Sequence, residues 1–350
     1  MVLLHEIPSE LILSIYQSCT SIYDVLSLSL TCRRLHSLLH SSQKISILFA
    51  AAEIEFGPLS DIIQLVTLNN SQATHSIRDP PLSLALLRHV ILTSKVANQW
   101  EQLYPAKKWK DDHVARRLLN PDEGRRLRRA VYRYWLYTEA FHNRAYPRSI
   151  RMHPHCVSER NELLRNWSTT DLAEIEDFRE VMREVLHSIC PSNGKVQRKQ
   201  ELQGIPQDRL VGSMSMPSFH TSPSLTNHLF HTCYDDTYLD ERRSRHHNSL
   251  ASCSSIGGWG DDISHYYLME DLMKLNPAEV MWLLHNARVK WQIEEYLRCM
   301  GDWFDNNGET FGQTFDSIMV ARGNDPDEIR EHIARRSMGI VSDQRLMAGP

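Results

Sequence analysis

The chain has 350 residues, with 39 Lys and Arg against 43 Asp and Glu, and a formal net charge of -4. That length suggests about two folded units, and 41% hydrophobic with 23% charged residues is a globular composition, not that of a disordered chain. With no global basic excess, a protein held on nucleic acid by bulk charge is disfavoured.

The seven cysteines (Cys19, Cys32, Cys156, Cys190, Cys233, Cys253, Cys299) form no C-x-x-C pair and are odd in number. That usage is expected of free thiols in a reducing compartment. The opening residues lack a basic leader region, and Glu6 and Pro8 interrupt any signal-like apolar core. The apolar stretch Ile45 to Ala52 falls far short of the roughly 20 residues a spanning helix needs. The expectation is a protein of the cytoplasm, the nucleus or both, with no membrane partner.

Residues 3–39 stand apart, with only five charged side chains (Glu6, Glu10, Asp24, Arg33, Arg34). Pro8 suits a first helical turn, where its missing N–H would be an orphan anyway. Leu11, Ile12, Ile15 and Tyr16 follow at helical spacing, with Leu13 on a second flank. A second short helix is expected over about 23–30 and a third over about 33–39. The apolar residues of the first helix fan across roughly 200°, about twice the stripe that faces a single core. Three helices in about 40 residues cannot bury that surface among themselves, because units this small are marginal alone. The surplus must meet the rest of the chain or another protein.

Helical patterning then runs almost unbroken to residue 188. Pro58 opens a helix with Leu59, Ile62, Ile63 and Val66, and Leu82 to Trp100 forms another. Asn120-Pro121-Asp122-Glu123 is a cap, a first-position proline and a capping-box acid, predicting a helix to about Phe141. Asp171 to Ile189 is amphipathic. Between Pro191 and Gly258 apolar periodicity disappears and Ser, His and Gln dominate, the pattern of an insert. Helical spacing returns at Ile263. Asn276-Pro277 opens one helix, a wide stripe runs from Val289 to Phe304, and Asp325-Pro326 starts a last short one.

Ile7-Pro8-Ser9-Glu10-Leu11-Ile12-Leu13-Ser14-Ile15 resembles the opening helix of an F-box, and Asp24 through Leu35, with its Cys32-Arg33 step, is similar to the second half of that motif. Leu35 stands where many F-boxes carry Trp. The resemblance covers about 40 residues. It implies a three-helix module that docks on a Skp-type adaptor and, through it, on a cullin scaffold in an SCF ubiquitin ligase. Ile7, Pro8, Leu11, Ile15, Leu26, Leu28 and Leu30 would carry adaptor contact by motif position, with Leu35 and Leu38 bracing the module. The rest of the chain would capture a protein substrate, and catalysis would belong to other subunits. No repeat of WD, leucine-rich or kelch type follows.

The expected fold class is therefore all-α, with an F-box-like domain over 1–42 and a helical domain in two parts, 43–190 and 259–336. A disordered or flexible insert at 191–258 splits that domain, and a flexible tail covers 337–350. The alternative is a non-catalytic helical scaffold protein that keeps the N-terminal hairpin for its own core.

Weaker signals remain. Residues 107–151 hold thirteen Lys and Arg against five acids. On the predicted 121–141 helix, Arg125, Arg126, Arg128, Arg129 and Arg133 share one arc. They mark a face for an acidic partner or nucleic acid, a solvated face, or a face paired inside the chain, with the acidic 261–331 region as the expected source of carboxylates. His153, His155 and Cys156, and separately His228, His231 and Cys233, lack the paired spacing of structural zinc. Asp302 to Gly308 has Asn307 where a calcium loop needs glycine. Gly257-Gly258-Trp259-Gly260 is read as a hinge closing the insert. No metal, no cofactor and no enzymatic motif is expected.

Overall fold

A computed structural model describes residues 7–69, 71–202, 258–287, 289–305 and 308–341. Among these residues the protein is all helical, with no strand. Its elements are α1 (Ser9–Gln17), α2 (Ile22–Ser29), α3 (Arg33–Leu39), α4 (Lys44–Phe56), α5 (Leu59–Val66), α6 (Leu84–Lys108), α7 (Pro121–Phe141), α8 (Pro154–Arg165), α9 (Thr169–Ile189) and α10 (Asn193–Leu202). After the insert come α11 (Asp262–Leu272), α12 (Pro277–Asn286), α13 (Lys290–Met300), α14 (Phe311–Ala321) and α15 (Pro326–Ala334).

Local chemistry sets most of the boundaries. The Asn120 side chain accepts from the Glu123 N–H at 2.8 Å, and Glu123 accepts from the Asn120 N–H at 2.9 Å, satisfying two orphan donors at the start of α7. Ser168 and Asp171 do the same for α9, and Asn276 and Glu279 for α12. Pro8 and Pro58 lie one residue before their helices, at the cap, instead of within the first turn.

The body is built on α6, α7 and α9, with α5 and α12 packed against them. Trp100, Tyr104, Tyr132, Tyr134, Tyr137 and Phe178 fill its centre, all fully buried. Each buried hydroxyl there finds an acceptor: Tyr132 donates to the Phe56 carbonyl at 3.0 Å and Tyr134 to that of Met273 at 2.6 Å. Trp100 and Phe178 meet edge to face at 5.0 Å.

α4 is the joint between the N-terminal helices and this body. It packs on α1, α2 and α3 through one side and on α5 and α6 through the other. Ile47, Leu48, Phe49, Ala51, Ala52 and Phe56 are all buried, so the helix is apolar around most of its circumference. A helix apolar nearly all round belongs between two packed layers.

Two expectations change. Residues 337–341 are not a loose tail: Ile340 and Val341 are buried, the Ile340 N–H donates to Asp177 at 2.8 Å, and Arg336 pairs with Asp112 at 3.0 Å. Isolated from its partners that stretch has too few apolar residues to show a period, so tertiary contact alone orders it. The expected insert is also shorter at its edges. α10 occupies 193–202, and Trp259 is buried as its N–H donates to the Pro191 carbonyl at 3.0 Å. The Asn193 N–H donates to the Gly260 carbonyl at 3.0 Å. The glycine-rich stretch thus works as a clasp in the described part, and residues 203–257 of the expected insert lie outside the described residues.

Candidate functional site

The three N-terminal helices bury one set of side chains and present another. Ile12, Tyr16, Val25, Leu35 and Leu39 close an inner face, completed by α4. The Tyr16 hydroxyl donates to the Leu35 carbonyl at 3.0 Å, and the Ile22 N–H donates to Glu55 on α4 at 2.9 Å. Leu35, where an aromatic was the common alternative, is a core residue of this unit, and Leu38 is half-buried beside it.

The outer side is apolar too. On α1, Leu11 is 57% exposed and Ile15 39%; on α2 and its cap, Tyr23 is 77%, Leu26 45% and Leu30 80% exposed. Leu11 and Ile15 are four residues apart, and Tyr23, Leu26 and Leu30 are three and four apart, so each set forms one row on its helix. Pro8 is exposed, whereas Ile7 and Leu28 are half-buried and packed on the core. Of the residues the resemblance assigned to adaptor contact, Pro8, Leu11, Ile15, Leu26 and Leu30 therefore lie outward. Tyr23 is the residue that motif position missed. Its spacing to Leu26 and Leu30 is the signal that finds it.

The arginine arc of α7 has a different fate. Arg133 meets Asp61 of α5 at 2.6 Å and Asp171 of α9 at 2.9 Å, and Arg129 meets Glu174 at 2.6 Å and Asp171 at 3.3 Å. Arg128 meets Glu101 of α6 at 2.6 Å, and Arg125 meets Glu53 of α4 at 2.5 Å. Arg126 donates to the Gly339 carbonyl at 3.4 Å. These carboxylates come from α4, α5, α6 and α9 and not from the acidic 261–331 region. That region instead supplies Glu309 and Glu270 to Arg179 and Arg183 of α9.

Burial sets the charges in this lattice. It pushes the Glu174 carboxyl up to about 7, against the pull of Arg129, and raises that of Asp61 against Arg133. Burial also disfavours the Asp171 charge, yet Arg133 and Ser168 outweigh it and hold that carboxyl below its ordinary value.

Among the described residues no group of three or more His, Cys, Asp or Glu is placed to hold a metal ion, and no helix is long and apolar enough to cross a membrane. His155 lies 3.4 Å from Glu159 on the surface of α8, and Cys156 is buried. His228, His231 and Cys233 fall outside the described residues. Cys190 is buried, which raises its thiol to about 12 and disfavours the thiolate. No protein-family model, no curated protein and no solved structure matches the chain.

Proposed function

We propose that this chain is an F-box protein, the substrate-recognition subunit of an SCF-type ubiquitin ligase. The outer rows of α1 and α2 dock on a Skp-type adaptor, and the helical body after α4 captures a protein substrate. The observation that carries the reading is the outward exposure of Leu11, Ile15, Leu26 and Leu30 on a unit whose inner face is already filled. Fully covering one such side chain is worth about 1.5–3 kcal/mol, so a partner that seals four or five gains a large driving force. Contiguous exposed apolar surface of this kind marks interaction sites.

In this reading the chain does no bond chemistry. It holds a substrate near a charged ubiquitin carrier and acts through effective concentration and orientation. A nucleic-acid partner has no support in the arginine arc, whose side chains are engaged within the fold.

The test is co-purification with a Skp-type adaptor. Wild type binds, and Leu11→Asp combined with Leu30→Asp does not, because each aspartate would bury an unpaired charge in the interface. Both positions are exposed, so the variant keeps its helical circular dichroism. Equal recovery of adaptor on both proteins overturns the proposal. One observation favours the scaffold alternative: α4 gives the N-terminal unit a complete core without any adaptor. That alternative requires the folded wild type to bind no adaptor at all.

A further inference from the structure

α6 runs for 25 residues through the body, and α4, α5, α7, α9 and α12 pack along it. They leave one arc uncovered. At 100° per residue, Leu84, Arg88, Leu92, Lys95 and Gln99 fall within about 80° of one another, and all five are exposed. The arc extends over about 22 Å of helix, roughly four turns. Leu84 and Leu92, one turn to either side of Arg88, are 51% and 52% exposed.

This arc is basic and is not neutralised. The sequence has no Asp or Glu between Asp79 and Glu101, and Glu101 is already paired with Arg128 of α7 at 2.6 Å. Among the described residues, Arg88 and Lys95 have no hydrogen-bond or ion-pair partner. The arginines of α7 find partners inside the fold; these two cations do not.

The mixture decides what kind of partner fits. Leucine beside a free cation suits a surface that offers an apolar side chain next to a carboxylate, as a protein segment does. A helix presents such side chains three and four residues apart, the spacing of Leu84, Arg88 and Leu92 themselves. A phosphate backbone is a poor match, because two Lys or Arg neutralise few phosphates and the arc has no aromatic ring on which a base could stack. An anionic membrane is a poor match too, since a helix lying on one uses a broader apolar face and more basic residues.

We propose that the exposed arc of α6 is a docking surface for an acidic amphipathic helix of a partner protein. Its apolar side chains cover Leu84 and Leu92, and its carboxylates meet Arg88 and Lys95. As the substrate-capture face of the body, this surface rests on the function proposed above; the contact itself needs no adaptor.

The probe is a phage-displayed library of random 16-residue peptides, panned on the full-length protein and counter-selected on Arg88→Glu combined with Leu92→Asp. Both residues are exposed, so the variant keeps its helical circular dichroism. Peptides retained by wild type alone should carry net negative charge, with large apolar residues three or four apart. One such peptide, labelled with fluorescein and followed by anisotropy, should bind Arg88→Glu about tenfold more weakly than wild type. Exchanging one of its glutamates for lysine should recover binding to that variant, and Lys95→Glu should weaken the original peptide in the same way. Selected peptides that are basic or uncharged overturn the proposal, as does a library in which no peptide separates wild type from the double variant. So does a 20-nucleotide single-stranded DNA that displaces the peptide at lower concentration than unlabelled peptide, or a wild-type dimer in sedimentation that the double variant abolishes. No arm involves an adaptor, so failure here leaves the docking of α1 and α2 standing, and failure there leaves this face a peptide-binding surface.

Discussion

The outer rows of α1 and α2 and the arginine row of α7 both begin as sequence features in need of a partner, and the fold treats them in opposite ways. Four of the five arginines of α7 find carboxylates on α4, α5, α6 and α9, and Arg126 finds the Gly339 carbonyl. The apolar rows of α1 and α2 stay outside. The difference follows from where each element sits. α7 lies in the middle of the body, so its polar arc is overlaid by neighbours on several sides and must be neutralised there. α1 and α2 lie at one end and, among the described residues, have neighbours only on their inner faces. A charged arc in the centre of a fold thus says little about partners, whereas an apolar row at its edge says a good deal.

The contrast can be broken most severely at Arg179. This fully buried side chain pairs with Glu176 and, at 2.6 Å, with Glu309, and it stacks over Phe311 at 4.7 Å. Arg179→Met removes the charge, leaves the buried Glu309 without its ion pair and leaves Glu176 with Arg330 alone, at 3.4 Å. A loss of about 3–5 kcal/mol is expected in urea denaturation, and a loss under 1 kcal/mol would show that the lattice is not load-sharing.

Next in size is the C-terminal segment. Truncation after Ser337 removes the buried Ile340 and Val341 and the bond to Asp177, and should cost about 2–4 kcal/mol. Gly339→Ala reproduces part of that loss, because Gly339 has φ +107° and an added Cβ would stand 2.7 Å from Asp177.

A smaller effect is expected from His142. Its folded pKa lies far below its unfolded value, so the unfolded chain takes up a proton first as pH falls. The stabilisation is complete above the unfolded pKa of about 6.5 and is lost below it, by at most about 1.4 kcal/mol per pH unit. The stability difference between wild type and His142→Gln should therefore shrink from pH 7 to pH 5.5, and a pH-independent difference would contradict a neutral buried ring.

The smallest effect belongs to the outer rows. Leu11→Asp and Leu30→Asp, singly, should each change stability by no more than about 0.5 kcal/mol in the same denaturation assay. A loss above 2 kcal/mol would mean that these side chains are core residues, and the distinction between the two regions would fall.

Much of the fold was legible in the sequence because helix starts are local chemistry. Asn120-Pro121 and Asn276-Pro277 announce their helices with a cap and a proline a few residues long. The outer rows were legible for a similar reason, since an apolar arc wider than one core needs is visible on a helical wheel. Tyr23, three residues before Leu26 and seven before Leu30, shares their helical row, and motif position alone passes it over. The partners of Arg129 and Arg133 were not legible. They lie on α5 and α9, tens of residues away, and a count of acids along the chain pointed to the wrong region. The order of residues 337–341 was hidden likewise, because it rests on Asp112, Arg126 and Asp177, none of which is near in sequence.

α4 has a geometric consequence. One continuous helix forms the floor beneath the exposed rows and also part of the wall of the body, so packed side chains and not a loop alone join the two ends of the described protein. Whatever grips α1 and α2 at its end of this lever sets the compass bearing of every side chain on α6, α7 and α9. On the proposed reading, a cargo held on the body would be presented at an angle set by the packing of α4.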